Sequence, residues 1–306
     1  MPGGSASASA RRGNWISCAL LGCLLVPLLW VSEPWAEDPG PGEVEVSTPF
    51  YKVEGGVDQP AERWDFSFEW TGIPVGWLYV ETAEATDARG PGLEVRIKAS
   101  TNKVVDLLWR YRLDAKGLIR TDPFGPGEFI IDEYERKKHK FTSIRFPDRH
   151  RIESLRRKGD SVKEFSFAAD NTFDILSSVF LILNLDYVVG DQLYIDTFTG
   201  TKRYLVTVDV EGLETLRVAG EEVKGWRLRA DTTELTKPDG DGKHKETRIW
   251  VSEQRPRRLL KASSKTFVGA INVELARVSP VGQEDEGPAG APRDAGAAEE
   301  NSGVGS

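Results

Sequence analysis

Three histidines, two cysteines and one dense run of Lys and Arg are the residues whose types and spacing bear most on chemistry. His139, His150 and His244 each stand directly between basic residues, as in Lys138-His139-Lys140. Cationic neighbours oppose both a bound metal cation and a protonated imidazole, so metal ligation and general-base work are poorly served. The histidines read as exposed strand or turn positions. Cys18 and Cys23 both fall in an N-terminal apolar segment, which leaves the rest of the chain without a thiol. Disulfide staples, cysteine nucleophiles and Cys-ligated metals are thereby excluded for the body. Gly-x-Ser-x-Gly, Walker, His-Glu-x-x-His and paired-Cys patterns are absent from the sequence. Ser177-Ser178 lies inside an apolar run and suits close packing. Asp and Glu are plentiful, so a carboxylate pair for glycoside chemistry would be a matter of spatial arrangement that spacing does not reveal. The expectation is a protein that is not an enzyme, with no catalytic residue, metal or cofactor.

The basic run extends from Arg136 to Lys158 and holds ten Lys or Arg in a chain whose formal net charge is -8 and pI about 5.2. An acidic balance argues against nucleic acid as a partner. Interleaved Phe141, Ile144, Phe146, Ile152 and Leu155 predict two strands with cationic outer faces. One reading is a solvated sheet face. The other is contact with an anionic lipid or lipopolysaccharide surface, carried by Arg149, Arg151, Arg156 and Arg157.

Positioning such groups falls to strands, because alternation at period two dominates the body. Trp64, Phe66, Phe68 and Trp70 share one face, opposite Asp65, Ser67 and Glu69. The pattern recurs in Val75-Trp77-Tyr79, Leu93-Val95-Ile97-Ala99, Trp109-Tyr111-Leu113, Tyr204-Val206-Val208-Val210, Trp226-Leu228-Ala230, Ile249-Val251 and Ile271-Val273-Leu275. Glycine-containing turns such as Pro238–Gly242 separate some of them. About ten antiparallel strands are expected.

Thr172 to Leu185 breaks the period, being apolar almost all round, and predicts a buried helix capped by Asn171 or Thr172, with Asp174 in its first turn. The fold class is therefore mainly β: a large curved antiparallel sheet, as a half-barrel or open barrel, with one buried apolar helix in the concave face. Trp64, Phe66, Phe68, Trp70, Trp77 and Tyr79 of the sheet, with Phe173, Leu176 and Phe180 of the helix, read either as ordinary core or as the lining of a site for a lipid or other apolar ligand.

Arg11-Arg12 followed by the apolar run Trp15 to Val31 has the layout of a signal peptide, assigned to residues 1–36, and predicts export to the periplasm. A membrane-anchored form, lipidation at Cys23 and twin-arginine export are variants of that reading. Residues 37–60, rich in Pro, Gly and acids, predict a flexible leader. Residues 61–280 predict a single β-rich domain, and 281–306 a disordered acidic Gly/Ala tail.

Several patterns together resemble the exported bacterial family called domain of unknown function 3108. They are Phe68-Glu69-Trp70-Thr71-Gly72-Ile73-Pro74-Val75-Gly76; Asp174-Ile175-Leu176-Ser177-Ser178-Val179-Phe180, with Ile175 where the family usually has Pro; Lys202-Arg203-Tyr204-Leu205-Val206-Thr207-Val208; Ile249-Trp250-Val251-Ser252 followed by Arg257-Arg258; and Val268-Gly269-Ala270-Ile271. The family's architecture is similar to the half-barrels of periplasmic lipoprotein carriers, which implies a binding role by analogy of fold. The functional expectation is a non-enzymatic envelope protein holding a lipid or other apolar ligand between helix and sheet. The alternative is a structural or assembly factor that binds another envelope protein through a sheet edge or its basic face.

Overall fold

A computed structural model describes residues 40–53, 56–236, 247–266 and 269–282. The predicted signal segment, the Pro238–Gly242 turn, His244 and the tail from residue 283 lie outside the described residues. A short 3-10 turn, Pro41–Glu43, precedes the strands. The first eight strands are β1 (Glu62–Trp70), β2 (Ile73–Asp87), β3 (Gly90–Thr101), β4 (Tyr111–Thr121), β5 (Phe124–Glu135), β6 (Lys138–Arg145), β7 (Arg151–Lys158) and β8 (Ser161–Ala168). Helix α1 (Lys103–Asp106) lies between β3 and β4. Then come β9 (Thr172–Asp174), helix α2 (Ile175–Asn184), β10 (Gln192–Phe198), β11 (Arg203–Val218), β12 (Glu221–Glu234), β13 (Thr247–Ser252), β14 (Leu259–Thr266) and β15 (Gly269–Pro280).

The fifteen strands of the described residues form one sheet, in the order 8-7-6-5-4-3-2-1-15-14-13-12-11-10-9. Neighbours run antiparallel except β9 and β10, which are parallel. Five strands exceed the sequence expectation: β5, β8, β9, β10 and β14. β5 opens on Phe124-Gly125-Pro126-Gly127, punctuation that reads as a loop, and takes its place in the ladder through an irregularity opposite Leu118 and Ile119. β8 is an edge strand with five of its eight residues exposed, and β9 spans three residues, so neither carries a long apolar alternation to read.

The alternating segments that were legible do bury the expected face. Leu93, Val95, Ile97 and Ala99 of β3 are all core, as are Tyr204, Val206, Val208 and Val210 of β11 and Ile271, Val273 and Leu275 of β15. The sheet curls far enough for its two ends to meet through side chains. Phe167 of edge strand β8 sits edge-on to Phe198 of β10 with ring centroids 5.2 Å apart. The Ser154 hydroxyl on β7 donates to the Gly200 carbonyl at 2.8 Å, just past β10. The result is an open barrel, with α2 inside it.

The helix is shorter than Thr172–Leu185 and begins later. Thr172 to Asp174 pair with Asp196 to Phe198 of β10, and the helical turns start at Ile175. Asp174, rather than Asn171 or Thr172, is the N-cap: its carboxylate accepts from the Ser177 backbone N–H at 3.0 Å and from the Ser177 hydroxyl at 2.6 Å.

Candidate binding site

The interior places seven of the nine apolar candidates in or against the core. Trp64, Phe66 and Phe68 alternate inward along β1 and are almost fully buried. Trp64 stacks on Phe180 of α2 with centroids 6.2 Å apart. Leu176 of the same helix reaches over Gly117 of β4, where an added Cβ would lie 2.2 Å from Leu176 Cδ2. Phe173 tilts against Phe124 at 6.1 Å between centroids. Trp70, at the end of β1, is partly buried and packs on the edge of the same core.

Trp77 and Tyr79 are a correction to the single stripe read from sequence. In the β1–β2 ladder they oppose Ser67 and Asp65, the outward residues of β1, while Leu78 and Val80 oppose Phe66 and Trp64. Alternation identifies two faces of a strand but not which one is inside. On β2 both faces are apolar, and the smaller Leu78 and Val80 fill the core. Outside, Trp77 and Tyr79 stack at 5.8 Å, and the Arg63 guanidinium lies 3.9 Å from the Tyr79 ring centroid. The candidates therefore do not line one surface.

Polar groups inside the barrel are held by one another. Besides Asp174 at the helix start, the Ser178 hydroxyl shares a hydrogen bond with the Thr197 hydroxyl at 2.8 Å and donates to the Asp174 carbonyl at 2.9 Å. At the other end, Arg255 donates to the Asn184 carbonyl at 2.9 Å and Arg257 to the Leu185 carbonyl, so cations meet the negative end of the helix dipole. The Tyr187 hydroxyl donates to the Ile182 carbonyl, and burial pushes its pKa up. Burial likewise pushes the Asp174 carboxyl above the usual carboxylate range, against the lowering effect of Ser177.

Two ion pairs secure the shell. Arg203 of β11 is paired with Asp196 of β10 at 2.5 Å, both almost fully buried. The same guanidinium donates to the Pro41 carbonyl at 3.1 Å and the Val44 carbonyl at 2.6 Å. The sequence reading made residues 37–60 a flexible leader; in the structure, Pro41 and Val53 are buried and the Tyr51 hydroxyl accepts from the Tyr194 N–H at 2.8 Å. In the middle of the sheet, where β15 lies between β1 and β14, Arg258 pairs with Glu62 at 2.7 Å, and the Trp64 indole N–H donates to the same carboxylate at 2.7 Å.

The basic run does not form one cationic face. Arg149 belongs to the turn before β7, and Arg151 begins that strand, bound to Glu153 at 3.1 Å. Arg157 lies near the opposite end of β7. Arg156 alternates to the face of Ile152 and Ser154 and donates to the Thr201 hydroxyl at 3.0 Å. Period two makes Arg156 and Arg157 point oppositely, which separates the four arginines expected together. Other cations of the run are matched by acids: Arg145 by Glu128 at 2.8 Å, and Lys140 by Glu133 and Glu135, each at 3.1 Å.

The two described histidines take part in surface pairs. His139 meets Asp132 at 2.8 Å and stacks on Tyr134, and His150 meets Asp170, whose hydrogen bond raises the imidazole pKa. Among the described residues, no group of three or more His, Cys, Asp or Glu is placed to hold a metal ion.

One exposed feature escaped the sequence reading. Ile73 at the start of β2 and Val104, Leu107 and Leu108 around α1 are 63%, 75%, 86% and 83% exposed. Their signal was present in Val104-Val105-Asp106-Leu107-Leu108, an apolar run with no strand period just before the pattern of β4.

The family model described as protein of unknown function (DUF3108) matches residues 65–276. No curated protein matches the chain in sequence. Among solved structures, the crystal structure of a beta-barrel-like protein of domain of unknown function DUF1849 from Brucella abortus is similar in fold, with a TM-score of 0.50 at 11% identity over 71% of this chain and 96% of that one. A protein with YmcC-like fold from Bacteroides fragilis NCTC 9343 aligns over 72% of this chain and 96% of its own, with a TM-score of 0.30 at 7% identity.

Proposed function

This chain belongs to the DUF3108 family, and we propose that it is a non-enzymatic protein of the bacterial envelope that works as a structural or assembly factor through its outer surfaces, rather than as a carrier with a ligand inside. The observation that carries this reading is the placement of α2, of whose ten residues all but Val179 are buried, with Val179 partly so. The residues expected to line a ligand site contact protein instead: Trp64 meets Phe180, Leu176 meets Gly117 and Phe173 meets Phe124. Interiors packed in this way leave little room for an acyl chain. The barrel meanwhile ends in β8, whose outer side carries no further strand among the described residues; although the Pro41–Glu43 turn packs on part of it, this edge suits pairing with a strand of another protein. Envelope location follows from the layout of residues 1–36, which supports export.

The test is native mass spectrometry, with lipid extraction, on the protein purified from its host envelope. The expected result is a lipid-free mass, with a protein partner retained under gentle conditions. A stoichiometric lipid that survives detergent exchange would overturn the reading and restore the carrier.

A further inference from the structure

We propose that the rim of the barrel formed by the β1–β2 turn, the α1 loop and the β5–β6 turn docks on the surface of a membrane rich in anionic phospholipid. Four large apolar side chains stand out there: Leu107, Leu108, Val104 and Ile73, 86%, 83%, 75% and 63% exposed. They are held in place rather than loosely displayed. Asn102 caps α1 by accepting from the Val105 N–H at 2.9 Å, and its side-chain amide donates to the Pro74 carbonyl at 2.7 Å, which brings Ile73 beside the helix. Val105 turns inward onto the core. Asp106 is tied to Arg112 at 2.5 Å and accepts from the Thr101 hydroxyl at 2.5 Å, fixing the loop from below. A short loop that presents its leucines to solvent while its polar groups anchor it is pre-organised for an apolar medium.

Charge identifies that medium. Lys103 and Arg110 flank the apolar tip and are exposed, and the Arg136 backbone N–H donates to the Arg110 carbonyl at 2.7 Å, bringing the turn with exposed Lys137 and Lys138 alongside. The one acid inside the loop, Asp106, is already neutralised by Arg112. Apolar residues ringed by Lys and Arg match a bilayer interface with anionic headgroups, where leucines enter the acyl boundary and cations meet phosphates. The four arginines singled out from sequence are not this set, because Arg149 and Arg151 lie at the far end of the barrel.

The predicted N-terminal apolar segment would itself bind lipid, so the readout has to be local. Hydrogen exchange of the full chain is measured with vesicles of phosphatidylglycerol and phosphatidylcholine, and with phosphatidylcholine alone. Slower exchange is expected in residues 103–110 with the anionic vesicles only, falling away as salt is raised. In the double variant Leu107→Ser, Leu108→Ser that protection is lost and rim binding weakens by about tenfold or more, while exchange in α2 stays as in the parent and reports an intact fold. Lys137→Gln with Lys138→Gln weakens it at low salt. Unchanged exchange at 103–110 in vesicle-bound protein would overturn the proposal, as would protection that appears with an envelope protein extract but not with vesicles. Neither outcome touches the packed interior, which the mass measurement reads separately.

Discussion

Trp64 of β1 and Phe180 of α2 stack with their ring planes 17° apart, and the Trp64 indole N–H is fixed by the Glu62 carboxylate at 2.7 Å. Glu62 in turn is held by Arg258. One aromatic contact thus ties the central helix to β1, and through Glu62 to the chain just before β14, which is about 200 residues away in sequence.

Truncating either ring removes that tie and opens a hole in a packed interior. Phe180→Ala is expected to lower unfolding stability by about 3–5 kcal/mol. Trp64→Ala should cost a similar amount, and also leave Glu62 without the indole donor. The double variant should lose less than the sum, because both residues share one contact. Urea unfolding of the four proteins checks this; strict additivity would show that the rings do not support each other.

Gly117 makes room for the helix. An alanine there sets its Cβ against Leu176 Cδ2 and 3.2 Å from Phe129 Cδ2, in a region where both side chains are buried. Gly117→Ala is expected to destabilise by about 1–3 kcal/mol through overpacking. Adding Leu176→Ala relieves the clash, so its cost in the Gly117→Ala background should be smaller than in the parent. Thermal melts of the single and double variants would show the difference, and equal costs would place the helix farther from β4.

What the sequence made legible was the inner face of the barrel wherever alternation was clean. β3, β11 and β15 are identifiable because apolar residues recur at every second position, over an outer face that is charged on β3 and mixed on the other two. The buried helix was legible because an apolar surface on all sides has no other place to go. Legibility failed where tertiary partners decide. Trp77 and Tyr79 look as apolar as Phe66, and only the pairing with Ser67 and Asp65 puts them outside. Arg156 and Arg157 look like one patch until the pleat parts them. Several residues that carry the family resemblance have identifiable structural duties: Gly76 because its Cβ would stand 2.4 Å from the Ser100 carbonyl oxygen, Asp174 as cap, and Arg203, Arg257 and Arg258 as ion-pair and carbonyl partners.

Asp174 provides a pH test with a definite sign. Burial raises its folded pKa above the unfolded value, so folding favours the protonated carboxyl. The burden of the buried charge is therefore fully present above the folded pKa and is relieved as pH falls toward the unfolded one. Asp174→Asn keeps an oxygen to accept from the Ser177 N–H and carries no charge. Its stability relative to the parent should improve as pH rises from about 4 to about 8. Asp174→Ala loses the cap as well, costing about 0.5–2 kcal/mol from the cap alone. Denaturant titrations across that range decide it, and an Asn-to-parent difference independent of pH would mean the carboxyl is not raised.

Arg203 is the residue on which the N-terminal segment hangs. Replacing it with leucine leaves the Asp196 carboxylate buried without its cation, and breaking a buried pair from one side costs about 3–5 kcal/mol. Removing both charges in Arg203→Leu, Asp196→Leu should restore much of that loss, because no lone charge stays behind. The segment behaves differently: the Pro41 and Val44 carbonyls lose their donor in both variants. Hydrogen exchange or limited proteolysis around residues 41–48 should therefore rise in the single and the double variant alike, even where global stability has recovered. If the double variant regains both stability and protection, the segment is held by its packing against β8 and not by the guanidinium.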